Sequence, residues 1–411
     1  MANQISTLAM GQKFKKTPAG EIPVDWEANK LSAVAQMYSG GTPLRTRSDY
    51  FDGNIPWVKS GELRTRLITR TEESLTEVGL KSSSAKWVPE NTVLLAMYGA
   101  TAGQIALLKI RATINQAILA ILPNQEKLSS EYLYQALKAE VSRLISLTQG
   151  SGQPNLSQGL VGNLWISIPP VQEQKKIAEI LSAVDSAIEK TSAVIEKSQT
   201  LKKGLMQTLL TNGTENWDVV RLQDVAEQSE QRFEPTITDT RPYIGLEHIG
   251  SGDGRVLTIG NSKSVASLKT VFRKGDILFG KLRPNLRKIA IAPSEGVCST
   301  DIIVIRPTKA VYSEFLFYRL QSSDAFDFAI GTVAGTKMPR TSWILFKNFE
   351  FLCPPLNEQQ KIVEILSAAD EEIEKEDIAL KKIQGLKKSL MQMLLRGRVR
   401  IGAFQNGGRV L

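Results

Sequence analysis

The chain has 411 residues, enough for two or three domains with buried cores and too many for a small disulfide-stapled scaffold. Its 51 Lys and Arg against 42 Asp and Glu leave a net charge of +9, and 42% apolar with 23% charged residues excludes disorder as the main state. Two cysteines, Cys298 and Cys353, and one histidine, His248, are too few for a disulfide framework, a four-ligand zinc site or any Ser-His-Asp relay not built on His248. No run approaches the roughly 20 apolar residues of a membrane span, and MANQISTLAMGQKFKK lacks the apolar core of a signal peptide, so a cytoplasmic protein with no membrane attachment is expected.

In chain order, the first globular stretch (1–167) carries Trp26, Leu31-x-x-Val34-Ala35 and short β-branched runs broken by Gly and Pro, among them Val93-Leu94-Leu95, Ile105-Ala106 and Ala117 to Pro123. An amphipathic helix is predicted near 131–147. Pro169-Pro170 then opens a long helical pattern (168–213) with Ile177, Ile180, Leu181, Val184, Ile188, Ile195, Leu201, Leu205 and Leu209 on one stripe. The second globular stretch (214–352) repeats the signals at Trp217, Leu222-x-x-Val225-Ala226, Ile277-Leu278-Phe279, Ile289-Ala290 and Asp301 to Pro307, with a helix predicted near 313–330. A last segment (353–411) contains a second long helix with a matching stripe from Ile362 to Leu394. Pro169–Leu210 aligns without a gap to Pro354–Leu395 at a constant offset of 185, with 25 of 42 positions identical, so the chain is a duplicated half. The helices have stayed alike while the globular stretches diverged, which predicts a shared partner for the helices and different ligands for the rest. The duplication also places Leu395 near Trp26 in space, because Leu210 leads directly to Trp217.

Catalytic motifs fail on inspection. Gly275-Asp-Ile-Leu-Phe-Gly280-Lys281 begins like a phosphate loop, but Leu282 stands where a Ser or Thr should meet magnesium and Pro284 blocks the following helix. Ile168-Pro-Pro-Val171 and Cys353-Pro-Pro-Leu356 lack the polar and aromatic residues of an amino-methyltransferase signature, and Gly250-Ser-Gly252-Asp-Gly254 reads as a turn. No cofactor or metal is expected.

What remains is cationic and amide-bearing. Lys281, Arg283, Asn285, Arg287 and Lys288 lie in a loop between two strands, and Lys337 and Arg340 follow Gly335. The first half offers Arg45, Arg47, Lys59, Ser60, Arg64, Arg66 and Arg70, with Gln153 and Asn155 matching Lys337 and Arg340. Basic side chains hold phosphates, and Arg, Asn and Gln also read base edges; as a set these residues point to DNA.

The Pro-Pro-x-x-Glu-Gln-x-x-Ile openings, the duplicated layout, Gly41-Thr42-Pro43, Ile55-Pro56-Trp57-Val58-Lys59-Ser60-Gly61-Glu62-Leu63 and Tyr243 to Ile249 together resemble the DNA-specificity subunit of type I restriction-modification systems. The resemblance covers essentially the whole chain. It implies an α+β (mixed α/β) fold with two pseudo-repeated target-recognition domains separated by two long, antiparallel, coiled-coil-like helices. It also implies recognition of a bipartite, asymmetric target in double-stranded DNA, docking of two methyltransferase subunits and of restriction/translocase subunits, and no catalysis by the chain itself. The competing readings are a methyltransferase or nuclease with a divergent active site fused to recognition domains, and a purely structural scaffold.

Overall fold

The apolar stripe after each proline pair produces helices at Val171–Thr211 and Leu356–Leu394 in the computed structural model, which describes residues 13–148, 155–213, 216–333, 335 and 338–401. Each helix starts directly after Pro-Pro, where a missing N–H costs nothing, and the Pro170 and Pro355 carbonyls accept the first backbone bonds. At 1.5 Å per residue each runs about 60 Å. Among the described residues no helix is long and apolar enough to cross a membrane.

The chain forms two compact units, one from the residues up to Thr191 together with those from Ala379 onward, the other Ser192–Ile378, so each long helix gives one stretch to each unit. In the first unit Asp185 meets Lys387, and Ile177 and Leu181 share a core with Leu390 and Leu394. In the second Lys202 meets Asp370 at 2.6 Å, and Leu209 and Leu210 share a core with Ile362 and Leu366. The paired stretches therefore run antiparallel in both units.

Each unit holds the same four-strand order. In the first it is Ala35–Ser39, Ile118–Pro123, Thr92–Ala96 and Ile105–Leu108, with Leu67–Ile68 added at the edge; in the second it is Ala226–Gln228, Ile302–Pro307, Ile277–Gly280 and Ile289–Ile291. The period of two sorts these runs between two cores: Leu119 and Ile121 face the helices while Ile118 and Ala120 face a second, smaller cluster, and Ile303 and Ile305 divide from Ile302 and Val304 in the same way. Burial on both faces explains why the strands read as continuous apolar runs. A second sheet in each unit contains one parallel pair, Phe51–Val58 with Ala112–Ile114 and Pro242–Ile244 with Gly296–Cys298.

The first domain helix is observed at Ser130–Ser146, close to expectation. The second is not continuous: Ser313–Gln321 and Ser323–Gly331 are separated at Ser322, whose backbone is extended. The Ser322 hydroxyl lies 2.6 Å from the Arg319 carbonyl, and Arg319 reaches past it to pair with Asp324, an alternative to helix that the local side chains supply. As the duplication requires, Trp26 shares the first unit's core with Leu394, Leu395 and Ile401, and Arg400 pairs with Asp25 at 2.6 Å.

Candidate nucleic-acid interface

The Glu-Gln of each helix opening turns out to be a junction that fixes the globular part to its helix. Trp26 Nε1 donates to Glu173 at 3.0 Å and Trp217 Nε1 donates to Glu358 at 2.8 Å. Gln174 accepts from the Ser129 backbone N–H at 2.9 Å and donates to the Lys127 and Pro169 carbonyls; Gln359 accepts from the Tyr312 N–H at 2.9 Å and donates to Pro354. The carboxylate thus holds the tryptophan that begins the domain, and the amide holds the start of the domain helix. In the first unit Arg400 adds to Glu173 and to Asp25; although burial opposes its charge, these bonds hold the guanidinium above its ordinary pKa.

On this frame the second unit presents a cationic hairpin tip. Residues 281–288 link Ile277–Gly280 to Ile289–Ile291, and the tip is clamped from two sides. Arg283 N–H donates to the Pro339 carbonyl at 2.8 Å and Thr341 N–H to the Lys281 carbonyl, so the segment carrying Arg340 is zipped to the loop. On the other side Gly252 N–H donates to the Arg287 carbonyl, while Lys288 Nζ donates to the Leu246 and Ile249 carbonyls at 2.7 Å and is a structural residue. Arg283 and Arg287 have φ of 49° and 50°, a left-handed conformation that costs a non-glycine residue about 1 kcal/mol or more. Pro284 between them is buried, which leaves Arg283 and Asn285 exposed and Lys281 half-buried, all without a side-chain partner among the described residues. Arg287 sits 3.3 Å from Ser323 and 3.8 Å from Asp327, and Arg340 is bound to Asp301 at 2.9 Å, which raises its pKa. Lys337 lies outside the described residues.

The first-unit cations are arranged differently. Arg45 pairs with Glu73 at 2.5 Å and lies 4.8 Å from the ring centroids of Phe51 and Trp57; Lys59 binds Glu73 at 2.8 Å and Glu72 at 3.0 Å. Burial alone would raise the Glu73 pKa, but the bonds from Arg45 and Lys59 bring it below the ordinary carboxylate value. Arg47 is held by Asp49 through two bonds, and Arg66 binds Glu189 of the first long helix at 3.0 Å. Ser60 opens a short 3-10 turn in which Arg64 is exposed and unpaired among the described residues. Asn155 bridges to Tyr98, as Arg340 bridges to Leu282 in the second unit; Gln153 lies outside the described residues.

Two cation–ring stacks escaped the sequence reading. Arg111 lies 4.4 Å over Trp87 and Arg241 4.0 Å over Phe233; both arginines are exposed, both rings belong to edge strands, and neither pair is adjacent in sequence. His248 is packed: its Nδ1 accepts from the Gly245 N–H at 3.0 Å and its ring meets Tyr243 edge-on. Among the described residues no group of His, Cys, Asp or Glu could hold a metal ion.

The helices add a repeated surface. A cleft of about 750 Å³ in the second unit is walled by Gln199, Lys202, Lys203, Met206 and Gln207, and one of about 560 Å³ in the first by Gln384, Lys387, Lys388, Met391 and Gln392. These are the same five residue types at the same positions of the duplicated helix, facing unlike globular walls.

The family model for the type I restriction modification DNA specificity domain matches residues 23–197 and again 214–382. The chain is 26% identical to the type I restriction enzyme MjaVIII specificity subunit of Methanocaldococcus jannaschii, over 95% of this chain and 96% of the relative. It is 23% identical to the EcoDI specificity subunit of Escherichia coli, over 93% and 90%. The fold is that of the type I restriction-modification S subunit from M. genitalium, with a TM-score of 0.60 at 17% identity over 94% and 99% of the two chains. A double match to one domain model, spanning both halves of a duplicated chain, establishes that this protein belongs to the type I restriction modification DNA specificity family.

Proposed function

We propose that the chain is the DNA-recognition subunit of a cytoplasmic restriction-modification complex, reading a bipartite, asymmetric duplex target with one globular domain (1–167 and 214–352) per half, while the helical segments (168–213 and 353–411) space the domains. The observation that carries this is the tip at 281–288, clamped on both sides and holding two arginines in left-handed backbone. Strain retained at an exposed cationic loop is what a preorganised phosphate- and base-contacting element requires. Lys281, Arg283, Asn285 and Arg287, with Arg340 bridged to the same loop, form the second-half reading surface, and Lys337, outside the described residues, is assigned to it from the sequence alone. In the first half it is Arg64, Ser60 and the Gln153–Asn155 segment, with Arg45, Arg47 and Lys59 bound to carboxylates and supporting the loop.

The two equivalent helix-side clefts dock two methyltransferase subunits, one each, and restriction/translocase subunits join that assembly. The chain itself performs no chemistry, so the reading of a divergent catalytic domain is not favoured. Mapping methylated adenines genome-wide in a strain with and without the chain tests the proposal: a bipartite motif that disappears with the chain supports it, and an unchanged methylation pattern sinks it.

A further inference from the structure

Beyond the Glu-Gln openings, each long helix places one Asp and one Lys against its neighbours, and the structure uses the two in both units. In the first unit buried Asp185 binds Lys387 of the opposed helix and accepts from Gln135 Nε2 of the domain helix at 2.8 Å. In the second unit Asp370 binds Lys202 at 2.6 Å and accepts from the Tyr318 hydroxyl at 2.9 Å. Asp185 and Asp370 are equivalent under the duplication, as are Lys202 and Lys387. Gln135 and Tyr318 hold equivalent places on their domain helices, each six residues after the backbone N–H (Ser129, Tyr312) bound by Gln174 or Gln359.

Each junction therefore joins three elements at one carboxylate: a long helix, its antiparallel partner and the domain helix. A second bond ties each domain to the same helix, Arg66 to Glu189 at 3.0 Å and Arg255 to Asp377 at 2.9 Å. The same interval separates Asp from Lys on both helices, so antiparallel pairing in this register satisfies both pairs, whereas parallel pairing would set Asp against Asp and Lys against Lys. Buried ion pairs add little net stability over well-packed apolar residues, and their best-attested use is to select one alignment. The domain side also accepts a cost, since Gln135 Oε1 and Gln321 Nε2 are buried without partners among the described residues, Gln321 Oε1 lying 3.4 Å from Lys202.

We infer that Asp185–Lys387 and Lys202–Asp370, with Gln135 and Tyr318, are positioning residues that set the register of the helix pair and the seating of each recognition domain on it, and thereby the half-site spacing the protein accepts. The inference rests on the DNA-recognition reading. A one-residue slip of the pair would separate all four charges and leave Asp185 and Lys202 buried without their partners, which is why spacing should be sharply enforced.

The test uses the full chain assembled with its methyltransferase subunits. Once the target is mapped from methylated adenines, duplexes are prepared whose half-sites lie from two base pairs closer to two base pairs farther apart. The triple variant Lys202→Met, Asp370→Leu, Tyr318→Phe replaces the ion pair and its hydroxyl donor with apolar side chains, and of the polar groups around them only the Gln321 amide loses a partner. Because Lys202 also walls the helix-side cleft, methylation is read relative to the natural-spacer duplex for each protein, and discrimination against spacers one base pair off should fall about tenfold. Rebuilding the pair in reverse, Lys202→Asp with Asp370→Lys, should restore discrimination. Tyr318→Phe alone removes one hydroxyl and serves if the triple variant does not fold; about threefold loss is expected. A folded triple variant, or Tyr318→Phe, with the wild-type spacer profile would overturn the inference. A wild-type chain that directs no methylation would instead fault the DNA-recognition reading, so the two failures are distinguishable.

Discussion

The loops 97–104 and 281–288 hang from equivalent strands and close against equivalent bridges, Tyr98 to Asn155 and Leu282 to Arg340, yet they offer opposite surfaces. The first turns through Gly99-Ala-Thr-Ala-Gly103, with both glycines at positive φ and no cation; the second carries Lys281, Arg283, Arg287 and Lys288 and accepts positive φ at two arginines. The scaffold decides where a tip projects, and the tip decides what it meets. Glycine is the low-strain solution to the backbone problem, and the first unit uses it. The second unit accepts strain to keep long cationic side chains at those positions.

If that division holds, exchanging residues 30–165 for the corresponding region of a relative should change one half of the target completely and leave the other untouched. Both halves changing together, read by methylome mapping, would break the comparison.

The junctions should differ in strength. Glu173→Ala strands a fully buried Trp26 indole and removes one of two partners of Arg400, so it should cost about 3 kcal/mol in denaturant unfolding of the full chain. Glu358→Ala exposes only half-buried Trp217 and should cost about 1 kcal/mol. Equal losses would show that the closure by Arg400 adds nothing.

At the tips, Lys281→Ala and Arg283→Ala should each lower the log–log salt slope of DNA binding by about one, with the fold retained. Arg45→Ala and Arg47→Ala should leave the slope nearly unchanged, because Glu73 and Asp49 already occupy their charge. A unit drop for Arg45 would mean that DNA displaces Glu73.

The smallest effect is in pH dependence. Glu73 has a depressed pKa, so its bonds to Arg45 and Lys59 contribute above the ordinary carboxylate pKa and are lost as pH falls through the lower folded value. Glu73→Gln should destabilise the chain by under about 1 kcal/mol at neutral pH, with the difference closing below about pH 4. A difference that persists in acid would assign the loss to packing.

The sequence by itself determined the duplication, the two long helices, the strand runs and the place of the cationic loops, because each depends on local periodicity or on comparison of one half with the other. It also carried the family, through the Pro-Pro-x-x-Glu-Gln openings, though not what those residues do; the Trp26–Glu173 and Gln174–Ser129 bonds join positions far apart in the chain. Tertiary structure decided the rest. Ser322 breaks a helix whose apolar pattern continues through it, since Arg319 and Asp324 close around the serine. Arg45, Arg47 and Lys59 read as equals of Lys281 and Arg283 in the sequence, but folding brings carboxylates onto the first group and leaves the second open. Charge is a property of composition, whereas its availability depends on which opposite charge the fold places within about 4 Å, and no period in a sequence reports that distance.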